Sequence, residues 1–289
     1  MKIIKKLLTT AITGYKASRS RYHLVIFSLR GKKPWTKGYF EYKWQNIARV
    51  IADPNILNGF KNQERLLTGY GLGLDERIVE YPWLLAQMAP ASGQWLDAGS
   101  ILNFDIILKN QALKNKELSI LTLNPETSCF WYRGISYLYG DIRELPFKDN
   151  HFDGIACVST LEHIGMDNSL VYTDGKYKES KPADFLLAIR ELQRVLKPGG
   201  VILLTVPFGQ SENFGFFQQF DSAMIKEVEK IFDTGKCAKH FYAYGEAGWQ
   251  LSTEAEAGTK TYFDIRTKRN DGPDHAAAAR AVACLILKK

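Results

Sequence analysis

Three pairs of residues, each led by a polar side chain, recur at intervals that suit the ends of successive strands: Asp97 with Gly99, Asn124 with Glu126, and Asp141 with Ile142. In an open α/β sheet, ligands bind outside the carboxyl ends of the strands, near the point where strand order reverses. A turn at Gly99 lets the backbone approach a ligand closely. A carboxyl or amide after the second strand can hydrogen-bond ribose hydroxyls. Asp141 can accept from an adenine amino group while Ile142 packs on the ring. Each pair alone reads as an ordinary turn. Their order and spacing together describe a groove suited to a nucleoside.

The elements that must position these groups follow from the periodicity. Strands are expected over 94–98, 118–123, 134–139, 152–158, 201–206 and 279–287, and helices over 104–113, 182–196 and 221–232. The strand at 152–158 is almost continuously apolar, as a strand buried on both faces must be. Alternating strands and helices predict a mostly parallel sheet covered on both faces, an α/β fold. This domain is expected to span 91–289, with 165–181 and 207–275 as insertions on the substrate side. Tyr172, Asp174 and Tyr177 suit the first of these to a lid, or else to a solvated insertion. Residues 1–90 read as a mainly helical extension. One helix runs over 42–52 and stops at Asp53-Pro54. Another opens at Leu74-Asp75-Glu76-Arg77, with acids in its first turn where they suit the helix dipole, and ends at Ala89-Pro90. Glu80-Tyr81-Pro82-Trp83 within it suits either a wall of the groove or a buried helix face.

Charge is unevenly placed. Residues 1–50 hold twelve Lys/Arg and one acid, Glu41, so this segment carries +11 of a net +7 and leaves the other 239 residues at −4. Such an arm attracts nucleic acid, an anionic membrane surface or an acidic substrate, or is a solvated helical face. Tyr15, Tyr22, Trp35, Tyr39, Phe40 and Trp44 are interleaved with the cations, so part of the arm should pack on something. The cysteines at 129, 157, 237 and 284 are far apart, which suggests neither a metal site nor a disulfide framework and suits a reducing cytoplasm. No apolar run reaches the roughly 18 residues of a membrane span. The amphipathic start Ile3-Ile4-Lys5-Lys6-Leu7-Leu8 leaves peripheral membrane attachment as an alternative to a purely cytoplasmic location.

Gly140-Asp141-Ile142-Arg143-Glu144-Leu145-Pro146-Phe147, then His151-Phe152-Asp153-Gly154-Ile155 and Leu161-Glu162-His163-Ile164, resemble the middle of class I methyltransferases of the small-molecule type. Glu191 to Val201, reading through Lys197-Pro198-Gly199-Gly200 into a strand that ends Thr205-Val206-Pro207, is similar to the same family's next block. The resemblance covers about residues 91–208 by motif. It implies a Rossmann-like, seven-stranded sheet and S-adenosylmethionine as cofactor. It places Asp97 and Gly99 in the first glycine-rich motif, Asn124 at the ribose acid with Glu126 as a substitute two residues on, Asp141 and Ile142 at the adenine, and Ser159 and Thr160 under the methionine portion. Two departures stand out: Ile101 and Asn103 replace glycines of the first loop, and the ribose acid is an amide.

The reaction implied is displacement of a methyl group from sulfonium to a nucleophile, in which proximity and orientation do most of the work. A hydroxyl acceptor also needs a base. His163 and Glu162 follow the fourth strand and are the candidates, set against a purely structural hydrogen bond for His163. His240, in an aromatic stretch expected to wall the substrate, is a second candidate. The acceptor expected is a small molecule or glycan. Two alternatives remain: an RNA methyltransferase using the basic arm, disfavoured by the acidic body and the lack of an RNA-binding module, and a non-catalytic scaffold on a degenerate fold.

Overall fold

The computed structural model describes residues 18–88, 92–172, 175–232, 237–265 and 274–289. Tyr15, the amphipathic start, Asp174 and the stop at Ala89-Pro90 lie outside the described residues.

A helical stretch through 18–29 (α1) leads to α2 (Tyr39–Ala52), α3 (Pro54–Lys61) and α4 (Arg77–Gln87). The expected stop at Asp53-Pro54 is also a start. The Asp53 side chain accepts from the Asn55 amide and Pro54 occupies the first turn, so one helix ends and the next is capped at the same residues. There follow β1 (Gly93–Ala98), the short α5 (Asp105–Leu108), β2 (Lys116–Thr122), β3 (Ser136–Tyr139) and β4 (Phe152–Val158). After these come α6 (Ser169–Tyr172), α7 (Phe185–Val195), β5 (Leu196–Pro207), the two-residue strands β6 (Glu212–Asn213) and β7 (Gln218–Gln219), and α8 (Ser222–Ile231). The chain closes with β8 (Cys237–Gly245), β9 (Gly248–Ser252), α9 (Glu254–Ala257) and β10 (Ala281–Lys288).

The main sheet has eight strands in the order β3-β2-β1-β4-β5-β10-β8-β9. The first five are mutually parallel, and β10, β8 and β9 each add antiparallel to their neighbour. The Rossmann-like α/β fold expected from the alternation is therefore present, with eight strands in place of the expected seven. Two of the eight, β8 and β9, lie in 237–252, expected as substrate wall. The alternation Phe241, Tyr242, Tyr244 is a strand pattern, and β8 pairs along its length with β10. His240 consequently sits inside the fold. It is buried, accepts from Trp83 Nε1 at 2.9 Å through Nδ1, and burial lowers its pKa.

Successive residues of each strand alternate between two apolar layers. Trp95, Ala156, Val158, Leu203, Tyr242 and Val282 pack with α2 to α4, whereas Leu96, Ile155, Cys157, Leu204, Phe241 and Ala283 pack with α7 and α8. The helices before residue 90 thus share one core with the sheet. Tyr39 is fully buried and Trp44 lies tilted against Tyr81 and Phe104, as the interleaved aromatics suggested, whereas Tyr22 and Phe40 stay exposed.

At the sheet's centre Gly154 pairs with Trp95, and a Cβ added to Gly154 would lie 2.4 Å from the indole ring. Overpacking of this kind costs about 1–3 kcal/mol. Gly154→Ala should lower the urea midpoint by a corresponding amount; an unchanged midpoint would mean that the indole relaxes at no cost.

Candidate active site

A pocket of about 530 Å³ opens at the carboxyl ends of β1, β2 and β4. That is the size range of small-molecule sites. Its floor is Gly99 after β1, Thr122 and Leu123 at the end of β2, Gly140 to Arg143 after β3, and Ser159 and Thr160 after β4. His163 and Phe216 form one wall, and Tyr172, Lys176, Tyr177 and Glu179 face them from the 165–181 segment. Arising from different strand ends, these groups converge because parallel strands all point their carboxyl ends the same way.

Gly99, Asp141, Ile142, Ser159 and His163 therefore meet at one pocket. Asp97, Asn124, Glu126 and Glu162 are not among its lining residues. Asp97 is fully buried behind the floor, where its two oxygens accept the amides of Ile101 at 3.1 Å and Leu102 at 2.7 Å. Burial pushes its carboxyl up to about 7 against the pull of those amides. Glu126 accepts from Ser100 Oγ at 2.9 Å and Asn103 Nδ2 at 2.7 Å, so it fixes the loop after β1. Thr122, two residues before Asn124, takes the floor position. The sequence signal for it was only its place at the end of an apolar strand.

The two departures from the glycine motif do not intrude on the pocket. Ile101 packs into the core, and Asn103 turns away to Glu126, the Ser128 carbonyl and the Tyr137 hydroxyl. Gly99 itself has φ +113°, and a Cβ there would lie 2.0 Å from Thr160 Oγ1. Glycine is required at this one position of the loop both by conformation and by the close approach of the β4 loop.

Asp141 is gripped by Arg143, whose Nη2 lies 2.6 Å from Oδ2 and whose Nε lies 3.0 Å from Oδ1. Against the upward pull of partial burial, this guanidinium holds the Asp141 carboxyl below the usual range. Arg143 also pairs with Glu179 at 2.9 Å and Asp184 at 2.7 Å, tying the 165–181 segment to the floor. Across the pocket the Tyr172 side chain hydrogen-bonds that of Thr122. The segment is folded over the pocket from two sides.

A second polar cluster lies behind the β4 loop. Ser159, held at φ 41°, donates to Glu80 Oε1 at 2.7 Å; the Thr205 hydroxyl donates to the same oxygen at 2.6 Å, and Arg77 pairs with the other. Glu80 is thus both a buried helix residue and a support of the pocket wall. Glu162 is 4% exposed, and its Oε2 has no hydrogen-bond partner among the described residues. Burial pushes its carboxyl up to about 8, helped by Glu80 and Glu76 and opposed by Arg77. Tyr262 senses the same Glu76, Glu162 and Arg77 charges. His163 bonds the Phe216 carbonyl through Nδ1 at 2.8 Å, which puts the proton of its neutral ring on that nitrogen. Its ring lies against Phe216 and Phe217. No cluster of metal-ligating side chains occurs among the described residues.

The chain is similar to known methyltransferases. A family described as "Methyltransferase domain" matches residues 100–204. A demethylmenaquinone methyltransferase of Staphylococcus aureus (strain MRSA252) is 32% identical over 219 residues, covering 75% of this chain and 72% of that one. A protein of the same name from Bacillus pumilus (strain SAFR-032) is 30% identical over 130 residues, and the chain spans only 45% of its length, as of its own. Among solved structures, the 1,6-didemethyltoxoflavin-N1-methyltransferase of Burkholderia thailandensis, with 1,6-didemethyltoxoflavin and S-adenosylhomocysteine bound, is similar at 13% identity and a TM-score of 0.40, over 68% of this chain and 72% of that one. By its similarity to the Staphylococcus aureus protein over most of both chains, this chain belongs to the class I S-adenosylmethionine-dependent methyltransferases.

Proposed function

We propose that the protein transfers a methyl group from S-adenosylmethionine to a hydroxyl-bearing small molecule, with a carbohydrate as one such acceptor. The observation that carries this reading is the pocket at the carboxyl ends of β1, β2 and β4, lined by Gly99, Thr122, Asp141, Ile142 and Ser159. These residues fit the cofactor. The Gly99 cradle has no side chain to fill it, the apolar Ile142 lies beside an acceptor carboxylate at Asp141, and Thr122 offers a hydroxyl at the end of β2. When bound, the cofactor supplies an electrophilic methyl group on sulfonium. The substituted loop residues, Ile101 and Asn103, face away from the pocket, which favours catalysis over a degenerate scaffold.

The chain's own residues divide the rest of the work. Asp141 and Ile142 hold the nucleoside end, Gly99 and Ser159 border the other end, and Asp97 and Glu126 act through the loop they shape. His163, which lines the pocket, takes the proton of the acceptor hydroxyl on Nε2 as that oxygen acquires the methyl group, and Glu162, buried outside the lining, acts on this step only through its charge. His163 and Phe216, which line the pocket, hold the acceptor's ring face, backed by Phe214, Phe217 and Tyr262. Phe214 and Phe217 are stacked 4.6 Å apart, with Tyr262 4.6 Å from Phe217. The relatives named for demethylmenaquinone support a small ring-bearing acceptor.

Calorimetric titration with S-adenosylhomocysteine tests the cofactor site. Binding that raises the melting temperature is expected, and Asp141→Ala should weaken it about tenfold, the equivalent of one lost charged hydrogen bond. Absence of binding at millimolar concentration would overturn the reading. Glu126 separates support from contact. If it only fixes the loop, Glu126→Ala should lower stability by about 1–3 kcal/mol without any ligand, because two donors lose their acceptor; loss of affinity alone would make it a contact residue.

An ionised Glu162 stabilises the proton that His163 receives, and burial holds its carboxyl up to about 8, so methylation of a hydroxyl acceptor should rise as pH increases through about 8. The infrared difference between the parent and Glu162→Gln should contain a protonated-carboxyl band that titrates near that pH. A band lost already near pH 4–5 would remove Glu162 from this role.

A further inference from the structure

The first described helix presents a surface that neither the core nor the pocket uses. Along α1, Tyr22, Val25 and Leu29 are 59%, 57% and 82% exposed. Their spacing puts them on one stripe of a helix. The opposite side of α1 is docked. Phe27 is fully buried against Tyr39 and Tyr42, and Gly38 lies so close that a Cβ would come within 2.3 Å of the His23 carbonyl oxygen. The stripe is therefore held outward by packing.

Six exposed cations surround it in sequence: Arg19, Arg21, Arg30, Lys32, Lys33 and Lys37. The Lys37 ammonium lies 5.4 Å above the Tyr22 ring, which brings the loop after α1 back beside the stripe. Glu41 is the one acid in residues 1–52, and it is paired with His23 at 2.6 Å. The preceding segment adds Lys2, Lys5, Lys6 and Lys16 to the same sequence. A cationic surface without acids demands an anionic partner. A nucleic acid would satisfy the cations, but its phosphates offer nothing to three exposed apolar side chains. An anionic bilayer satisfies both: the apolar face of a basic amphipathic helix enters the headgroup boundary while its cations meet lipid phosphates.

We propose that α1 and the loop after it form a docking face for an anionic lipid surface, with Tyr22, Val25 and Leu29 as the inserted stripe. The proposal does not depend on the methyl-transfer reading. It is tested by co-sedimentation of the full chain with vesicles of pure phosphatidylcholine and of a 70:30 mixture with phosphatidylglycerol, in 50 and 500 mM salt. Binding at least tenfold stronger to the anionic vesicles, weakened in high salt, is expected. Val25→Asp/Leu29→Asp should reduce it at least tenfold with an unchanged melting temperature, because both side chains are exposed. Vesicle binding that survives this double substitution would overturn the proposal, as would equal binding to both vesicle types or none to either. So would tighter binding of a uridine 30-mer that the substitution leaves intact. Sedimentation equilibrium decides the last alternative: self-association lost in the double variant, without vesicle binding, would assign the stripe to a second copy of the chain.

Discussion

The Glu80 carboxylate joins parts of the chain that are otherwise far apart. It lies in α4 with no solvent exposure and holds the hydroxyls of Ser159 and Thr205 and the guanidinium of Arg77. Isolated in the interior such a charge would cost several kcal/mol, and only a full set of donors offsets that. The donors come from the end of β5, the loop after β4 and the first turn of α4. The amino-terminal helical layer is thereby locked to the carboxyl edge of the sheet. Two consequences follow for the site. Ser159 is kept at a positive φ where its backbone lines the pocket, and Arg77 is kept where its charge reaches Glu162. One buried carboxylate sets the shape of the pocket wall and the electrostatics behind it.

Arg143 does the corresponding work on the opposite side. It comes from the loop after β3, yet it gathers Asp141 from the floor, Glu179 from the covering segment and Asp184 from the entry to α7. Arginine suits this because its planar fork can serve three carboxylates at fixed angles, which a lysine ammonium cannot. The covering segment is consequently fastened to the same residue that the nucleoside end of a ligand would touch. The second fastening, Tyr172 to Thr122, lies at the end of β2.

Much of this was legible in the sequence, and the parts that were not have physical reasons. The apolar run at 152–158 gave its strand to the residue because a doubly buried strand has an unambiguous pattern. The helix at 182–196 separated into a 3₁₀ turn and α7, a difference in hydrogen bonding that side-chain periodicity does not register. β8 and β9 were read as a wall because aromatic side chains serve equally well in cores and in binding surfaces. Their pairing with β10 is a long-range fact with no local signal. At the site, Gly99, Asp141 and Ile142, singled out as strand ends, line one pocket. Which polar group near the end of β2 faces the pocket depends on a register of one or two residues, and there the side chain of Thr122 faces in whereas Glu126 faces the loop. Glu80 was invisible as a partner of Ser159, since 79 residues separate them.

The buried carboxyls also set how pH acts on the fold. Asp97 and Glu162 are pushed up by burial to about 7 and about 8, from ordinary values of 3.8 and 4.5. A group that keeps its proton longer when folded contributes stability that is complete below its unfolded value and is lost as pH rises through its folded one. Their contribution is therefore whole near pH 4 and gone by about pH 8. Asp153 and Glu191 act in the opposite sense. Lys197 and Arg194 lower them, so their contribution is present above about pH 4.5 and fails as pH falls. His240, lowered by burial, adds a loss below 6.5. A part for Glu162 in proton removal requires its ionised form, which the folded interior resists until about pH 8. Ionisation of this carboxyl costs the fold the stability that its protonated form contributes, so any step that needs the charge works against the interior that holds it.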